Sequence, residues 1–270
     1  MKLYHPFLNK LLVDYLRSPE HPMKQRFISY INRLNNYRGV IGETIYNVKM
    51  VLDLRDIVQN RIFFQRVWEP NLSIFINNQL DEEDIFFDIG CNVGYFALLA
   101  STKCVKTFAF DPDPKNIEVV NFNRSINFFN NITTLNFGLG DKNESLQFFR
   151  ASIGNNGLSG FTSRNSTENF AVPVYTLDYL IYKEKLVPFP TFMKIDTEGW
   201  EEKILHGATH LLKTNPPRII IFESEFLGNE SINDFNSIKS FLLQYDYTIT
   251  DTLSDEYGTN HIARFNAKQD

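Results

Sequence analysis

Three acidic residues, each at the tip of an apolar run, are placed to do chemistry in this chain: Asp88, Asp111 and Asp196. The first ends Ile85-Phe86-Phe87 and opens the run Asp88-Ile89-Gly90-Cys91-Asn92-Val93-Gly94-Tyr95. Glycines at this spacing allow a sharp strand-to-helix turn and a close ligand approach to the backbone. The G-x-G-x-x-G of a dinucleotide site and the G-x-x-x-x-G-K-[ST] of a phosphate loop do not occur, and an acid at the turn repels a phosphate. A ligand bearing an ammonium and a sulfonium, as S-adenosylmethionine does, suits it instead. Asp88, Gly90, Asn92, Gly94 and Tyr95 are therefore candidate cofactor-binding residues. The competing interpretation is a tight glycine turn of any α/β sheet.

Asp111 ends a second apolar strand, 23 positions (111 − 88) after Asp88, and heads Asp111-Pro112-Asp113-Pro114. A carboxylate about 20 residues beyond the glycine turn can accept from ribose hydroxyls; a helix cap before proline is the alternative. A third strand, Thr133 to Phe137, runs into Gly138-Leu139-Gly140-Asp141. Asp141 there either faces an adenine edge or belongs to a solvated turn. Asp196 ends Phe192-Met193-Lys194-Ile195 and begins an acid-rich turn with Glu198. Ligands of open α/β sheets bind outside the carboxyl ends of the strands, so Asp88, Asp111 and Asp196 should share one rim. Lys194, two residues before Asp196, points to the same side of its strand and needs a partner if buried; Asp196, Glu198 and Glu223 can serve. These residues suit displacement of a sulfonium methyl by an acceptor oxygen, with Asp196 as general base, Glu198 second in line and Lys194 tuning the carboxylate. Acids on one rim also leave room for a divalent cation as an alternative, but no metal site is assigned.

Four pieces stand in a particular order: Phe87 to Phe96, Phe110-Asp111-Pro112, Val172 to Asp178 and Met193 to Glu201. Together with Leu205-His206-Gly207-Ala208 and Ile220-Ile221-Phe222-Glu223, they resemble the FkbM family of S-adenosylmethionine-dependent methyltransferases over about residues 45 to 225. The resemblance implies a class I methyltransferase fold: a Rossmann-like, mostly parallel seven-stranded sheet with helices on both faces. It also implies O-methylation of a hydroxyl on a sugar, glycoconjugate or polyketide-type acceptor. The family more commonly carries Glu where this chain has Asp111, and His or Tyr where it has Trp200.

The elements that must position these residues follow from the pattern. From Ile85 strands and helices alternate, as a parallel sheet with right-handed crossovers requires. Residues 1–45 look like a helical extension before a domain over 46–270, with Leu11, Leu12, Tyr15 and Leu16 on one stripe and a homodimer face as a minority use of it. Asn47–Arg55 and Arg61–Phe64 predict a hairpin, and Glu69-Pro70 a helix through Leu80. The Gly-, Asn- and Ser-rich segment Ala151 to Asn169 predicts an acceptor-covering loop, with Phe161 for a sugar face and Arg164 for an attached acid. Asn215-Pro216-Pro217-Arg218 echoes the signature of amino-methylating enzymes but ends in arginine, and predicts a helix stop. His206 and His210 are spaced to chelate yet lack a third ligand nearby, and His261 is a weaker acceptor contact.

With 43% hydrophobic residues and 25 phenylalanines, the 270-residue chain can bury one large α/β core. A net charge of −5 with scattered basic residues argues against nucleic acid as a partner. Cys91 and Cys104 make no disulfide framework, and Lys2, Lys10, Asp14 and Arg17 interrupt any signal-peptide core. A cytoplasmic location is the expectation, and no uncharged run approaches a membrane span.

Overall fold

The structure is a computed structural model describing residues 39–151, 159–161, 166–224, 229–254 and 258–267. The expected N-terminal helices with their apolar stripe and dimer face, and Arg164, lie outside these residues.

The described chain opens on an antiparallel hairpin, β1 (Val40–Glu43) with β2 (Lys49–Leu52). The expected strand over Arg61–Phe64 is instead part of a helix, α1 (Ile57–Gln65). Asp56 decides this. Its carboxylate accepts from the Gln59 N–H at 3.0 Å, which caps the helix, and the Gln59 side chain accepts from the Asp53 N–H at 2.8 Å, which ties the incoming chain to the first turn. Helix α2 (Pro70–Gln79) starts on a proline whose missing N–H is not needed there.

Alternation then sets in with β3 (Ile85–Ile89), α3 (Tyr95–Ser101), β4 (Lys106–Phe110), α4 (Pro114–Ile126) and β5 (Ile132–Leu135). Three further strands, β6 (Gly138–Leu139), β7 (Glu144–Ala151) and β8 (Ser166–Tyr175), form a small sheet of their own in the order β6-β8-β7. A π-helical turn, Tyr179–Lys183, leads to β9 (Phe192–Ile195), α5 (Glu201–His206), α6 (Thr209–Thr214), β10 (Ile219–Ser224), α7 (Asn229–Leu243), β11 (Tyr247–Ser254) and β12 (Thr259–Phe265).

The central sheet has seven strands in the order β11-β12-β10-β9-β3-β4-β5. Strands β10, β9, β3, β4 and β5 pair in parallel, and β12 runs antiparallel between β10 and β11. This is the class I arrangement implied by the sequence.

Each face of the sheet has its own core. Phe86, Phe192, Ile219 and Ile221 meet apolar residues of α1, α2, α3 and α4. Phe87, Ile89, Met193, Ile195, Ile220 and Phe222 meet those of α5, α6 and α7. A fully buried phenylalanine on either face contributes roughly 1.5–3 kcal/mol. On the first face the strands change character at their carboxyl ends. Phe86 gives way to Asp88, Phe192 to Lys194 and Asp196, and Ile221 to Glu223, always two residues on. The face that is core at one end is therefore a charged rim at the other.

The small sheet is pinned to that rim. Arg150 of β7 holds Asp113, the N-cap of α4, through Nε at 2.5 Å and Nη2 at 2.6 Å, and it also pairs with Glu168 of β8. The segment read as one long loop thus begins and ends as paired strand, with Arg150 opposite Glu168 and Phe149 opposite Asn169. The predicted stop at Asn215 is present: α6 ends at Thr214, and Arg218 pairs with Asp84 at the amino ends of the strands, far from the rim.

Candidate functional site

A cavity of about 580 Å³ opens at the carboxyl ends of β3, β4, β9 and β10, a size typical of small-molecule sites. Asp88, Gly90, Asn92, Tyr95 and Asp111 line one half. Lys194, Asp196, Glu198, Glu223 and Trp200 line the other.

In the first half, Asp88 is 1% exposed, and neither carboxylate oxygen has a hydrogen-bond partner among the described residues. Burial raises its pKa to about 6, against the pull of the Lys194 ammonium across the β3–β9 pairing and of the Ala97 N–H of α3, which lies beyond hydrogen-bond distance. A buried carboxylate without a donor is costly unless a ligand supplies one. Gly90 adopts φ +80°, and a Cβ there would stand 1.8 Å from the Asp196 carbonyl oxygen. Its glycine is thus demanded by the neighbouring strand end. Gly94 does not line the cavity: it adopts φ +83° and packs on Val120 of α4, so the candidate cofactor contact is a packing position. Asn92, at φ +48°, donates its N–H to Asp111 Oδ2 at 2.9 Å, while its own side-chain oxygen is buried without a partner. Asp111 also accepts from Asn116 at 3.1 Å and from the Asp113 N–H at 2.8 Å. Burial carries its pKa to about 7 against these three donors. Tyr95 presents its ring to the cavity, and its hydroxyl accepts from Ser73 at 3.1 Å. Asp141 is exposed beyond Gly140 and does not reach the cavity; of its two readings the structure has the solvated turn.

In the second half, Lys194 is 1% exposed and binds Asp196 Oδ2 at 2.7 Å, with its ammonium 4.7 Å from the Phe96 ring centre. Burial alone would lower its pKa, but the carboxylates of Asp196, Asp88 and Glu69 outweigh it and hold the ammonium above its ordinary value. Burial works to raise Asp196, yet Lys194 and a hydrogen bond from Glu223 hold it below the usual carboxylate range. Glu198 stands on the turn at φ +57°. That turn is gathered by buried Glu201, which accepts from the Thr197 N–H at 2.7 Å and the Thr197 hydroxyl at 2.9 Å; burial raises its pKa to about 7. Trp200 packs on Phe161 with ring centres 4.9 Å apart, and its indole N–H is buried without a partner.

Several site residues escape sequence reasoning. Ile57 and Val58 reach the cavity from the start of α1, and Trp68 and Glu69 from the link between α1 and α2. Glu69 is 3% exposed and adopts φ +41°, a left-handed backbone that costs a non-glycine residue of order 1–3 kcal/mol and clusters at functional sites. The three described histidines do not take part. His206 ends α5 against Phe241, and His210 sits in α6 against Tyr182. The acceptor contact offered by His261 is corrected: its ring lies among Ser224, Thr252 and Phe235 on the opposite face, and burial lowers its pKa to about 4. Among the described residues, no group of three or more His, Cys, Asp or Glu is arranged to hold a metal ion.

A family model described as the methyltransferase FkbM domain matches residues 88–249. The chain belongs to this family. Over 147 residues it is 31% identical to the hexuronic acid methyltransferase AglP of Haloferax volcanii, a match covering 54% of this chain and 59% of that relative. A crystal structure of methyltransferase FkbM from Methylobacillus flagellatus KT superposes with TM-score 0.50 at 17% identity, covering 76% of this chain and 52% of the other. Wild-type Trm5b from Pyrococcus abyssi gives TM-score 0.52 at 12% identity, covering 85% and 56%. At these identities the two structures attest the fold. The family match begins at Asp88, so the four cavity residues Ile57, Val58, Trp68 and Glu69 lie outside it.

The raised carboxyls give the site a signed pH dependence. Asp88, Asp111 and Glu201 hold protons more tightly in the folded than in the unfolded chain. Their share of stability is therefore present at low pH and lost as pH rises through about 6 to about 7. Thermal melts of the ligand-free protein should give a higher Tm at about pH 5.5 than at about pH 8. Affinity for an ammonium ligand should run the other way. Below about pH 6 such a ligand must displace the Asp88 proton, and its Kd should rise toward tenfold per pH unit. Calorimetry with S-adenosylhomocysteine across this range checks it; a Kd that stays flat would remove Asp88 from the ligand.

Proposed function

We propose that the protein transfers a methyl group from S-adenosylmethionine to a hydroxyl of a sugar or glycoconjugate. The observation that carries this reading is Asp88, a buried carboxylate with no donor that lines the same cavity as Lys194 and Asp196. When bound, S-adenosylmethionine supplies a sulfonium methyl that an oxygen nucleophile can displace. Asp88 would hold its ammonium, and Asp111 one ribose hydroxyl beside the three donors it already carries. Asn92 and the rings of Tyr95 and Phe137 line the same half of the cavity. Asp196 would take the acceptor's hydroxyl proton, with Lys194 keeping the carboxylate ionised until the acceptor is in place and Glu198 beside it.

The acceptor class follows from charge and shape. Glu69, Asp196, Glu198 and Glu223 face Lys194, the one cation lining the cavity among the described residues. Hydroxyls donate to such groups, whereas an acceptor carboxylate is repelled. Phe161 and Trp200 add an apolar wall on which a sugar ring can lie. The name of the Haloferax relative supports a saccharide acceptor; the acids here favour a neutral polyol hydroxyl over a uronate carboxylate. Cys91 and Cys104 are unpaired and buried, and no described helix is long and apolar enough to cross a membrane, which fits the cytoplasmic reading.

The donor half is tested by calorimetry. S-adenosylhomocysteine should bind and NAD should not, and Asp88→Ala should weaken the binding by roughly 1.5–3 kcal/mol, the worth of a hydrogen bond to a charged group. Binding of NAD alone would overturn the assignment. For the acceptor, glycans from cells with and without the gene are compared by mass spectrometry. Loss of methyl groups from neutral sugars is the expected result. Unchanged glycans beside a methylated protein or RNA would sink the carbohydrate reading.

A further inference from the structure

Glu223 lies next to the last residue of β10, on the sheet face that carries Asp88, Lys194 and Asp196; with Phe222 registered beside Ile195, its carboxyl meets that of Asp196 in the cavity. Ionised carboxylates have only acceptors to offer, so a hydrogen bond between two of them requires a proton. We propose that Glu223 is a positioning residue for Asp196: it carries that proton in the resting enzyme, donates it to the Asp196 carboxylate and holds this group aimed into the cavity. The proposal rests on the assignment of Asp196 as the group that receives the acceptor's proton.

The ion pair with Lys194 places the negative charge of the pair on Asp196. Asp196 faces Glu223 from β9, Glu198 from the turn beyond it and Glu69 from the start of α2, and each adds negative charge. From β12, the residue paired with Glu223 is the neutral Asn260, while His261 belongs to the opposite face with Ser224. Lys194 is already committed to Asp196 Oδ2 at 2.7 Å. One ammonium cannot neutralise both members of the pair, and like carboxylates in contact do not both ionise. Burial and the Asp196 charge accordingly push Glu223 well above the carboxylate range, while Asp196 is held below it.

The backbone fixes which way Glu223 points. A Cβ on Gly258 would lie 2.1 Å from Glu223 Oε1, so the carboxyl rests against a bare Cα. With Lys194 bound to Oδ2 and Glu223 as a second donor, the Asp196 carboxylate is restrained, as a base must be before its substrate arrives.

The test begins on the wild-type enzyme and needs no acceptor. Infrared spectra of protein carrying 13C-labelled glutamate should show a neutral carboxyl band that shifts with the label and persists at about pH 8.5, above the titration of Glu201 at about 7. No neutral glutamic acid at that pH overturns the proposal. The variants follow, with methyl transfer from labelled S-adenosylmethionine to a glycan extract of cells lacking the gene. The wild-type kcat should fall at alkaline pH as Glu223 loses its proton; E223Q retains an N–H to donate, and should lose the persistent band, keep at least about a tenth of kcat and show no such fall. E223A should lose about 10²-fold in kcat with S-adenosylhomocysteine affinity within a few-fold. Equal kcat and equal pH profiles in all three proteins would overturn the positioning role. If the band is present but no glycan is labelled, the acceptor reading fails while the shared proton stands.

Discussion

Asp196→Asn should lower turnover by about 10²-fold or more while leaving S-adenosylhomocysteine affinity within a few-fold. The amide keeps the shape of the carboxylate but cannot take a proton from an acceptor hydroxyl. Donor affinity should survive, because the unpartnered carboxylate in the other half of the cavity belongs to Asp88. A second consequence must be separated from the first. The substitution removes the ion-pair partner of a lysine that is 1% exposed, and breaking a buried pair costs roughly 3–5 kcal/mol when nothing replaces it. Here Asp88 and Glu69 still face Lys194, so the loss of stability should fall below that range. Melting temperature is therefore measured beside kcat. A stable, ligand-binding Asp196→Asn enzyme with near wild-type turnover would leave Asp196 as a structural partner of Lys194 and move the base to Glu198.

Gly90→Ala should destabilise the fold by about 2–5 kcal/mol, more than any other single methyl added to the rim. Two costs combine. A left-handed backbone costs a residue with a Cβ roughly 1–2 kcal/mol, and overpacking adds about 1–3 kcal/mol. The new methyl would meet the Asp196 carbonyl oxygen at 1.8 Å, and a backbone atom just past the end of β9, tied to β3 by the Asp196 N–H, cannot turn aside as a side chain can. Gly94→Ala is the internal comparison. It shares the left-handed φ, but its methyl would meet only Val120 Cγ2 at 2.8 Å, so its effect should be clearly smaller. At roughly 2–4 °C per kcal/mol for a chain of this size, Gly90→Ala should lower Tm by about 5–15 °C. A melt within about a degree of wild type would show that the strand ends are not packed as described.

The strand-tip acids were legible in the sequence because their logic is local. An apolar run buried on both faces of a parallel sheet can end in an acid only at the rim, which places Asp88, Asp111 and Asp196 together without knowledge of any long-range contact. Glu69 was not legible. In the sequence it is an acid before a proline, and nothing local shows that the chain turns left-handed there and sends the carboxyl toward Lys194. The strand assigned to Arg61–Phe64 failed for a different reason. Its apolar residues suit either element, and the deciding signal, Asp56 followed three residues later by Gln59, lay just upstream. The Arg150 clamp was hidden as well. A charged residue in a strand reads as solvent-facing, and its partner Asp113 is 37 positions away.

The cavity wall that comes from Ile57, Val58, Trp68 and Glu69 bears on how acceptor choice could be exchanged between relatives. These residues precede position 88, where the family match starts. A hybrid joined at that position would inherit the strand-tip acids intact, yet bring a foreign wall to the cavity they line. Selectivity in such a hybrid would belong to neither parent. Grafting it faithfully means moving the hairpin and first two helices together with the sheet, so the inheritable module is larger than the domain by which the family is recognised.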